Sequence, residues 1–129
     1  MRYTKLGRTG LTVSELVLGT WALGGGKDWS GVSEKDAMAA IECMLDAGVN
    51  FIDTAPTYGL GEAERRLGEV LKGRRDQVIV QTKFGSHWPH KEKLPGDKPF
   101  HDGRKEIVYQ MIDESLERLK MDYVDIFMM

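Results

Sequence analysis

Short apolar segments alternate with longer segments whose apolar residues repeat at helical spacing, and this alternation constrains the fold of the 129-residue chain more than any other feature. Strands that alternate with helices form a parallel sheet with right-handed crossovers, either in a doubly wound sheet or in a (β/α)8 barrel. A barrel needs eight such units and typically about 250 residues, so four strands and three helices would make half of one. The pattern alone does not choose between the two architectures.

Four strands and three one-faced helices account for most of the chain. Each predicted strand follows an apolar run, and each helix has apolar residues three or four positions apart. Ser33 precedes the first helix and forms a capping-box pattern with Asp36 three residues later. The predicted strands are 16–18, 51–53, 78–82 and 124–129, and the helical stripes are Ala37, Ile41, Met44, Leu45 and Gly48, then Ala63, Leu67, Val70 and Leu71 within 62–72, and then Ile107, Val108, Met111, Ile112, Leu116 and Leu119.

Two further segments complete the organisation of the chain. Gly7 and Gly10 lie at a plausible turn within 2–15, which predicts a small β-hairpin before the main fold. A long loop, 84–103, separates the third strand from the third helix. Because neither a linker nor a low-complexity tract interrupts the sequence, we expect residues 1–129 to form a single unit.

Charge and composition restrict the classes of partner. The formal net charge is −2, the pI is about 5.9, and no run of Lys or Arg exceeds two residues. This composition offers no basic surface for nucleic acid or for an anionic membrane. A small-molecule partner is therefore expected.

Two observations bear on the cellular compartment. Cys43 is the only cysteine, which excludes an intramolecular disulfide and fits a reducing environment, and we expect it to be packed or half-buried on a helix. The start of the chain has no apolar signal core, and no apolar stretch approaches the roughly 20 residues of a membrane span. The sequence therefore predicts a cytoplasmic protein without a membrane segment.

Three polar side chains follow strand ends, where parallel α/β folds gather their reactive groups. Asp53 closes the second strand, Tyr58 lies in the following loop, and Lys83 comes directly after the third strand. A tyrosine is a poor acid at neutral pH unless a nearby cation favours its phenolate, and Lys83 can supply that cation. Asp53 can keep the lysine charged through an ion pair. Taken singly, the three also fit a loop hydrogen-bonding residue, an exposed aromatic and a solvated strand end.

The segment Gly48-Val49-Asn50-Phe51-Ile52-Asp53-Thr54-Ala55-Pro56-Thr57-Tyr58-Gly59-Leu60-Gly61, with Glu64 and Leu67-Gly68 after it, closely resembles the aldo-keto reductase signature. Other segments agree in order and spacing, and the resemblance covers essentially the whole chain. They are Leu6-Gly7-Arg8-Thr9-Gly10-Leu11, Leu18-Gly19-Thr20-Trp21, Gln81-Thr82-Lys83-Phe84-Gly85, Ser115-Leu116-Glu117-Arg118-Leu119 and Asp122-Tyr123-Val124-Asp125.

The resemblance implies a (β/α)8 barrel in which Tyr58 is the general acid and Asp53 and Lys83 are its tuning pair. It also implies that Gly19, Thr20 and Trp21 lie against a nicotinamide cofactor, with Asp53 touching the ribose. The cofactor expected from the family is NADPH, with NAD(H) as the alternative.

The resemblance also implies a fourth catalytic residue, usually His, directly after the apolar run of the fourth strand. That run is Ile126-Phe127-Met128-Met129 here, and the next residue is not in the sequence. The later loops, which hold most of the cofactor in the family, are not in it either. We therefore expect this chain by itself to be inactive and, with an open sheet edge, to self-associate.

Two other clusters carry weaker signals. Gly24-Gly25-Gly26 follows a strand but is not G-x-G-x-x-G, so we interpret it as a flexible loop and not as a phosphate cradle or a Rossmann motif. His87 and His90 form a His-x-x-His pattern in the long loop. We expect no metal there, because the loop lies where this family shapes its substrate pocket. Trp21, Tyr58, His87 and Trp88 are the expected substrate contacts.

The prediction is thus an oxidoreductase that reduces an aldehyde or ketone to an alcohol with NAD(P)H. Two alternatives stay open. One is an aldo-keto reductase-like auxiliary subunit of a potassium channel, which binds the nicotinamide as a redox reporter. The other is a non-catalytic half-barrel. The residue after Met129, if it were His or Asn, would help to separate them.

Overall fold

A four-stranded parallel sheet forms the centre of the structure, a computed structural model that describes residues 1–25, 29–87 and 98–129. The strand order follows the chain, and the register places Leu18 beside Ile52 and Ile52 beside Val80. Sequential order is what right-handed βαβ units produce. The sheet consists of β3 (Val17–Gly19), β4 (Phe51–Asp53), β5 (Ile79–Lys83) and β8 (Ile126–Met128).

Three helices connect these strands: α1 (Glu34–Asp46), α2 (Glu62–Val70) and α3 (Lys105–Leu119). Ser33 caps α1, since its hydroxyl accepts the Asp36 N–H at 3.1 Å. The reciprocal bond differs from a capping box, because the Ser33 hydroxyl donates to the Asp36 carboxylate at 2.7 Å. The predicted cap is confirmed in this variant form.

The core lies between the sheet and the helices. The predicted inward face of α2 is confirmed, because all four apolar residues of the predicted stripe are buried, although Leu71 lies just beyond the end of the helix. In α1 only Ala37 and Ile41 are buried, whereas Gly48 lies beyond the helix with φ 88°, in the left-handed region. In α3, Met111 and Leu119 are buried and the rest of the stripe is half-buried. The core cluster is Leu18, Ile41, Val49, Ile52, Leu67, Val70, Leu71, Val78, Val80 and Leu119.

The predicted N-terminal hairpin is confirmed as the antiparallel pair β1 (Tyr3–Lys5) and β2 (Thr12–Ser14). Asn50, which directly precedes β4, joins the hairpin to the sheet. Its Oδ1 accepts the Ser14 N–H at 2.6 Å, and its Nδ2 donates to the Thr12 carbonyl at 3.1 Å. The hairpin therefore covers the amino end of the parallel strands and leaves their carboxyl end open.

A second, short hairpin was not predicted. It pairs β6 (Ser86–His87) with β7 (Phe100–His101), at the two ends of the long loop. Its strands have only two residues each and no apolar run. The described residues also contain three short 3-10 turns, at Ala22–Gly24, Tyr58–Gly61 and Arg75–Gln77.

Other differences from the sequence predictions are small. Leu16 lies outside β3 and is exposed, because the strand begins one residue later. Cys43 is exposed on α1, so the expectation that it is packed or half-buried was wrong; it faces away from the side that carries Ala37 and Ile41. None of the described helices is long and apolar enough to cross a membrane.

Candidate active site

The carboxyl ends of β3, β4 and β5 lie side by side and present the polar residues of the site. The register pairs Gly19 with Asp53 and Asp53 with Gln81, so the last residues of β3 and β4 are level. Lys83 ends β5 two residues beyond Gln81, on the same face of that strand because side chains alternate. The strand-end rule thus brings both charged residues to one edge of the sheet.

Asp53, Tyr58 and Lys83 meet at this edge. The Lys83 ammonium donates to Asp53 Oδ1 at 2.6 Å and to the Tyr58 hydroxyl at 3.2 Å. The Tyr58 hydroxyl donates to Asp53 Oδ2 at 3.4 Å. A phenol, a cation and a carboxylate therefore form one contiguous cluster.

The ion pair in this cluster is partly shielded from water. The side chains of Lys83 and Asp53 are 26% and 23% exposed, and both have further partners. Lys83 also donates to the Thr54 carbonyl at 3.0 Å, and the Gln81 side-chain amide donates to Asp53 Oδ1 at 2.6 Å. Charged groups held by several hydrogen bonds keep a defined geometry.

Gln81 is a member of the cluster that sequence reasoning missed. It belongs to the Gln81-Thr82-Lys83 motif, but the sequence by itself indicates no role for it. The signal was its spacing, since a residue two positions before Lys83 lies on the same face of β5. The neighbouring β4 then places Asp53 directly opposite.

Tyr58 stands at the start of a tight turn between β4 and α2. Its N–H donates to the Ala55 carbonyl at 3.1 Å. The next three residues, Gly59, Leu60 and Gly61, all have left-handed backbone angles, with φ of 59°, 58° and 87°. The Lys83 Nζ lies 4.8 Å from the centre of the Tyr58 ring, which adds a cation–π contact.

The residues after β3 form the wall beside Tyr58. Trp21 is 53% exposed, its ring centre is 6.4 Å from that of Tyr58, and it meets the Trp29 ring edge to face at 5.6 Å. Gly19 is exposed, with no atom within 4 Å of where a Cβ would stand. This leaves an open surface flanked by an indole and a phenol.

Thr20, a predicted cofactor contact, has a different environment. It is fully buried, and both its N–H and its hydroxyl donate to the Asp53 carbonyl, each at 3.0 Å. Its side chain therefore fastens the end of β3 to the end of β4. The predicted cofactor contact of Thr20 stays a prediction.

The remaining candidates lie in or near the two loops. His87 belongs to β6 and stacks on Phe100 with ring centres 4.2 Å apart. Trp88 and His90 lie outside the described residues, so the second half of the His-x-x-His pattern is not described. Gly24 is buried at the end of a 3-10 turn, and Gly26 lies outside the described residues, so the interpretation of this glycine segment as a flexible loop stays a prediction.

Comparison with known proteins identifies the family to which this chain belongs. The sequence profile of the Aldo/keto reductase family matches residues 15–129. The NADH-specific methylglyoxal reductase of Escherichia coli is 40% identical, over 99% of this chain and 41% of its own length. A probable voltage-gated potassium channel subunit beta of Oryza sativa is 39% identical, over 98% of this chain and 36% of its own length.

A solved structure gives the same result for the fold. The holo form of aldo-keto reductase AKR11C1 from Bacillus halodurans superposes with a TM-score of 0.85 at 33% identity, covering 98% of this chain and 39% of that one. The four parallel strands are therefore part of a (β/α)8 barrel, and the predicted architecture is confirmed. The chain spans about two fifths of the length of the curated relatives it matches.

Proposed function

The chain belongs to the aldo-keto reductase family, and on that premise we propose that its function is the reduction of an aldehyde or ketone to an alcohol with NAD(P)H. The observation that carries the proposal is the contact of the Tyr58 hydroxyl with both Lys83 Nζ and Asp53 at the open end of the sheet. Because the chain covers about two fifths of its relatives, the activity is proposed for a completed barrel. By this term we mean residues 1–129 continued by the reading frame after Met129 or by the aligned remainder of the E. coli relative.

Tyr58 is the proposed general acid. With a carbonyl oxygen against its hydroxyl, Tyr58 would give the phenol proton to that oxygen, and a bound nicotinamide would supply the hydride to the carbonyl carbon. The phenolate left behind is stabilised by the ammonium of Lys83 at 3.2 Å. Asp53 orients Lys83 through the 2.6 Å ion pair, and Gln81 in turn orients Asp53.

The surface beside Tyr58 fits a flat cofactor ring. Gly19 leaves space there, and Trp21 offers a half-exposed aromatic face. We propose Gly19, Thr20, Trp21 and Asp53 as the contacts with the nicotinamide and its ribose, with Thr20 acting through its backbone position. NADPH is the proposed cofactor, and NADH is the alternative.

The substrate is proposed to be a small carbonyl compound that contacts Trp21, Tyr58, His87 and Trp88. We propose that the reaction takes place in the cytoplasm. Cys43, the only cysteine of the sequence, is exposed as a free thiol, which fits a reducing compartment. Neither nucleic acid nor a membrane is a proposed partner. His87 supports the substrate assignment through its place in β6, directly beyond the β5 end that carries Lys83.

Replacement of Tyr58 tests the proposal directly. In a completed barrel, Tyr58→Phe keeps the ring and removes the proton donor, so kcat should fall by about 10²- to 10⁴-fold. Binding of the nicotinamide, measured by its fluorescence, should be retained. Tyr109→Phe is the matched control, because Tyr109 is 60% exposed on α3, and it should leave turnover unchanged. Equal turnover in the Tyr58 variant and the parent would remove Tyr58 from the reaction.

The similarity to a potassium channel subunit beta supports a second candidate function, a nicotinamide-binding auxiliary subunit. Such a protein would bind the cofactor tightly and would oxidise it slowly with every carbonyl compound tried. Its turnover would change little when Tyr58 is replaced. The same assay therefore separates the two functions. A non-catalytic half-barrel would show neither binding nor turnover.

A further inference from the structure

The loop that carries Trp21 and the loop that carries Tyr58 touch through two glycines. A Cβ added to Gly24 would lie 2.9 Å from the Gly59 nitrogen and 2.9 Å from the carbonyl carbon and oxygen of Tyr58. A Cβ added to Gly59 would collide with the carbonyl of Gly24. All these neighbours are main-chain atoms, which cannot rotate away as a flexible side chain can. Only glycine at both positions permits this approach.

Both loops are also fixed to the same helix. The loop after β3 is held where Arg66 on α2 donates from Nη1 to the Leu23 carbonyl at 2.6 Å. The loop after β4 leads into α2 through the three left-handed residues Gly59 to Gly61. A left-handed non-glycine residue such as Leu60 persists only where its surroundings hold it. The glycine contact is thus part of a frame of contacts around Tyr58.

The position of this frame bears on the distances from the Tyr58 hydroxyl to Lys83 and Asp53. Its distances to Lys83 Nζ and Asp53 Oδ2, 3.2 and 3.4 Å, are at the long end for hydrogen bonds between these atoms. A displacement of the Tyr58 backbone by a few tenths of an ångström would break or tighten them. Proton donation depends on placement, because a misplacement of about 1 Å can cost about 10²-fold in rate.

We propose that Gly24 and Gly59 are positioning residues, whose main-chain contact sets the place of the Tyr58 hydroxyl relative to Lys83 and Asp53. The proposal rests on the proposed carbonyl reduction. The proposed action of both glycines runs through the backbone of Tyr58. A methyl group at position 24 should push the Tyr58 carbonyl outward and weaken catalysis more than it weakens the fold.

The chain supplies matched controls for the two substitutions. Gly68 is a glycine of α2 at which a Cβ would collide with the main chain of Leu119, away from the site. Gly73 has φ 77°, close to the left-handed angle of Gly59, but a Cβ there would meet open space. Gly68→Ala makes a main-chain collision at least as severe as that of Gly24→Ala, since its Cβ would lie closer to the Leu119 carbonyl oxygen than a Cβ at position 24 would lie to any neighbour. Gly73→Ala tests the left-handed backbone strain of Gly59→Ala without a collision.

The kinetic test uses a completed barrel, NADPH and a panel of small aldehydes. Gly24→Ala and Gly59→Ala should lower kcat by about 10-fold or more with KM values changed by less than about 3-fold, since placement and not binding is affected. Gly68→Ala should lower the melting temperature but leave kcat within about 2-fold of the parent value. Gly73→Ala should likewise leave kcat within about 2-fold. Equal kcat losses in Gly24→Ala and Gly68→Ala, or no loss in a folded Gly24→Ala, would overturn the proposal.

A spectroscopic readout separates this proposal from the proposed function. In protein labelled with [13Cζ]tyrosine, the Tyr58 resonance is assigned by its loss in Tyr58→Phe. Gly24→Ala should shift that resonance, and Gly68→Ala should leave it in place. An unmoved resonance in Gly24→Ala refutes the positioning role whether or not the enzyme turns over, whereas a Tyr58→Phe variant with full activity refutes only the reaction.

Arg66→Met is a second variant that introduces no collision. It removes the bond to the Leu23 carbonyl, and with it the ion pair between Arg66 and Glu62, and so loosens the loop that carries Trp21 while both glycines stay. The Tyr58 resonance should shift or broaden, and kcat should fall less than in Gly24→Ala. If neither the resonance nor kcat changes, the loop frame does not position Tyr58.

Discussion

At the scale of the residue, Asp53 is the centre of the site. Its Oδ1 accepts from both Lys83 and Gln81 at 2.6 Å, and its carbonyl accepts from Thr20. The side chain and main chain of one residue therefore connect β3, β4 and β5 at their carboxyl ends. Tyr58 is the member that this arrangement holds least tightly, because its bonds to the pair are the longest of the cluster.

Asp102, just before α3, gives a prediction about pH. Hydrogen bonds from the Arg104 guanidinium, and then from the Arg104 N–H, lower the pKa of Asp102 from 3.8 to about 2. A carboxyl group with a lowered pKa stabilises the fold above its ordinary pKa, and that stabilisation is lost as the pH falls from about 4 towards 2. In a completed barrel, NMR should show Asp102 still ionised at pH 3, and Arg104→Gln should raise its titration midpoint. A midpoint unchanged by that substitution would show that Arg104 is not the cause.

Sequence reasoning reached Asp53, Tyr58 and Lys83 because strand ends are readable from apolar runs, and the structure brings those three side chains together. Gln81 and Gly24 were missed for a different reason. The role of Gln81 depends on which strand lies beside β5, and that of Gly24 on contact with a loop 35 positions away in the chain. Such pairings follow from tertiary packing, which local patterns do not contain.

At the scale of the element, a buried ion pair joins α2, α3 and β5. Glu64 on α2 is fully buried and accepts from Arg118 Nε and from the Thr82 hydroxyl, both at 2.6 Å. Gly61, at the end of the Tyr58 turn, packs against the same Arg118 side chain. Thr82 directly precedes Lys83. This network therefore holds the segment that carries Tyr58 and the segment that carries Lys83 against α2 and α3.

Removing Glu64 should destabilise the protein strongly. Glu64→Ala leaves the Thr82 hydroxyl buried without its partner and Arg118 only 22% exposed, and breaking a buried pair in this way typically costs about 3–5 kcal/mol. Chemical denaturation of a completed barrel measures the change. Lys120→Met is the control, since it removes an exposed pair with Glu69 between the same two helices and should change stability little. Similar losses in both variants would contradict a special role for the buried pair.

Helices were the elements that the sequence predicted best. The stripe of α2 gave four buried residues, because an amphipathic helix on a sheet shows its period over many residues. Strand β8 is shorter than the predicted 124–129. Before it, the carboxylate of Asp125 accepts the Val80 N–H and forms an ion pair with Arg75, so Asp125 does not continue the strand. The two-residue strands of the second hairpin are too short for any alternation to be visible.

At the scale of the whole molecule, the described sheet has two outer strands, β3 and β8. Each pairs on one side only within the described residues, and both expose apolar side chains. Val17 is 44% exposed and Met128 is 42% exposed. In a closed (β/α)8 barrel every strand has two neighbours, so these edges are the places where the rest of a barrel would pair.

The last prediction concerns residues 1–129 produced as a separate polypeptide. With both outer edges and their apolar side chains in water, this polypeptide should self-associate or form a loosely packed, aggregating species. It should also show no NAD(P)H-dependent reduction of aldehydes, because it would carry only part of the surface that binds the cofactor. Light scattering, calorimetry and a nicotinamide-oxidation assay measure these properties. Met128→Lys should reduce association, since a charged side chain on β8 opposes pairing of two edges, whereas Tyr109→Lys, an equally charged change on the exposed face of α3, should reduce it less. A monodisperse monomer with a sharp cooperative melt would contradict the structural part, and turnover that disappears with Tyr58→Phe would contradict the functional part.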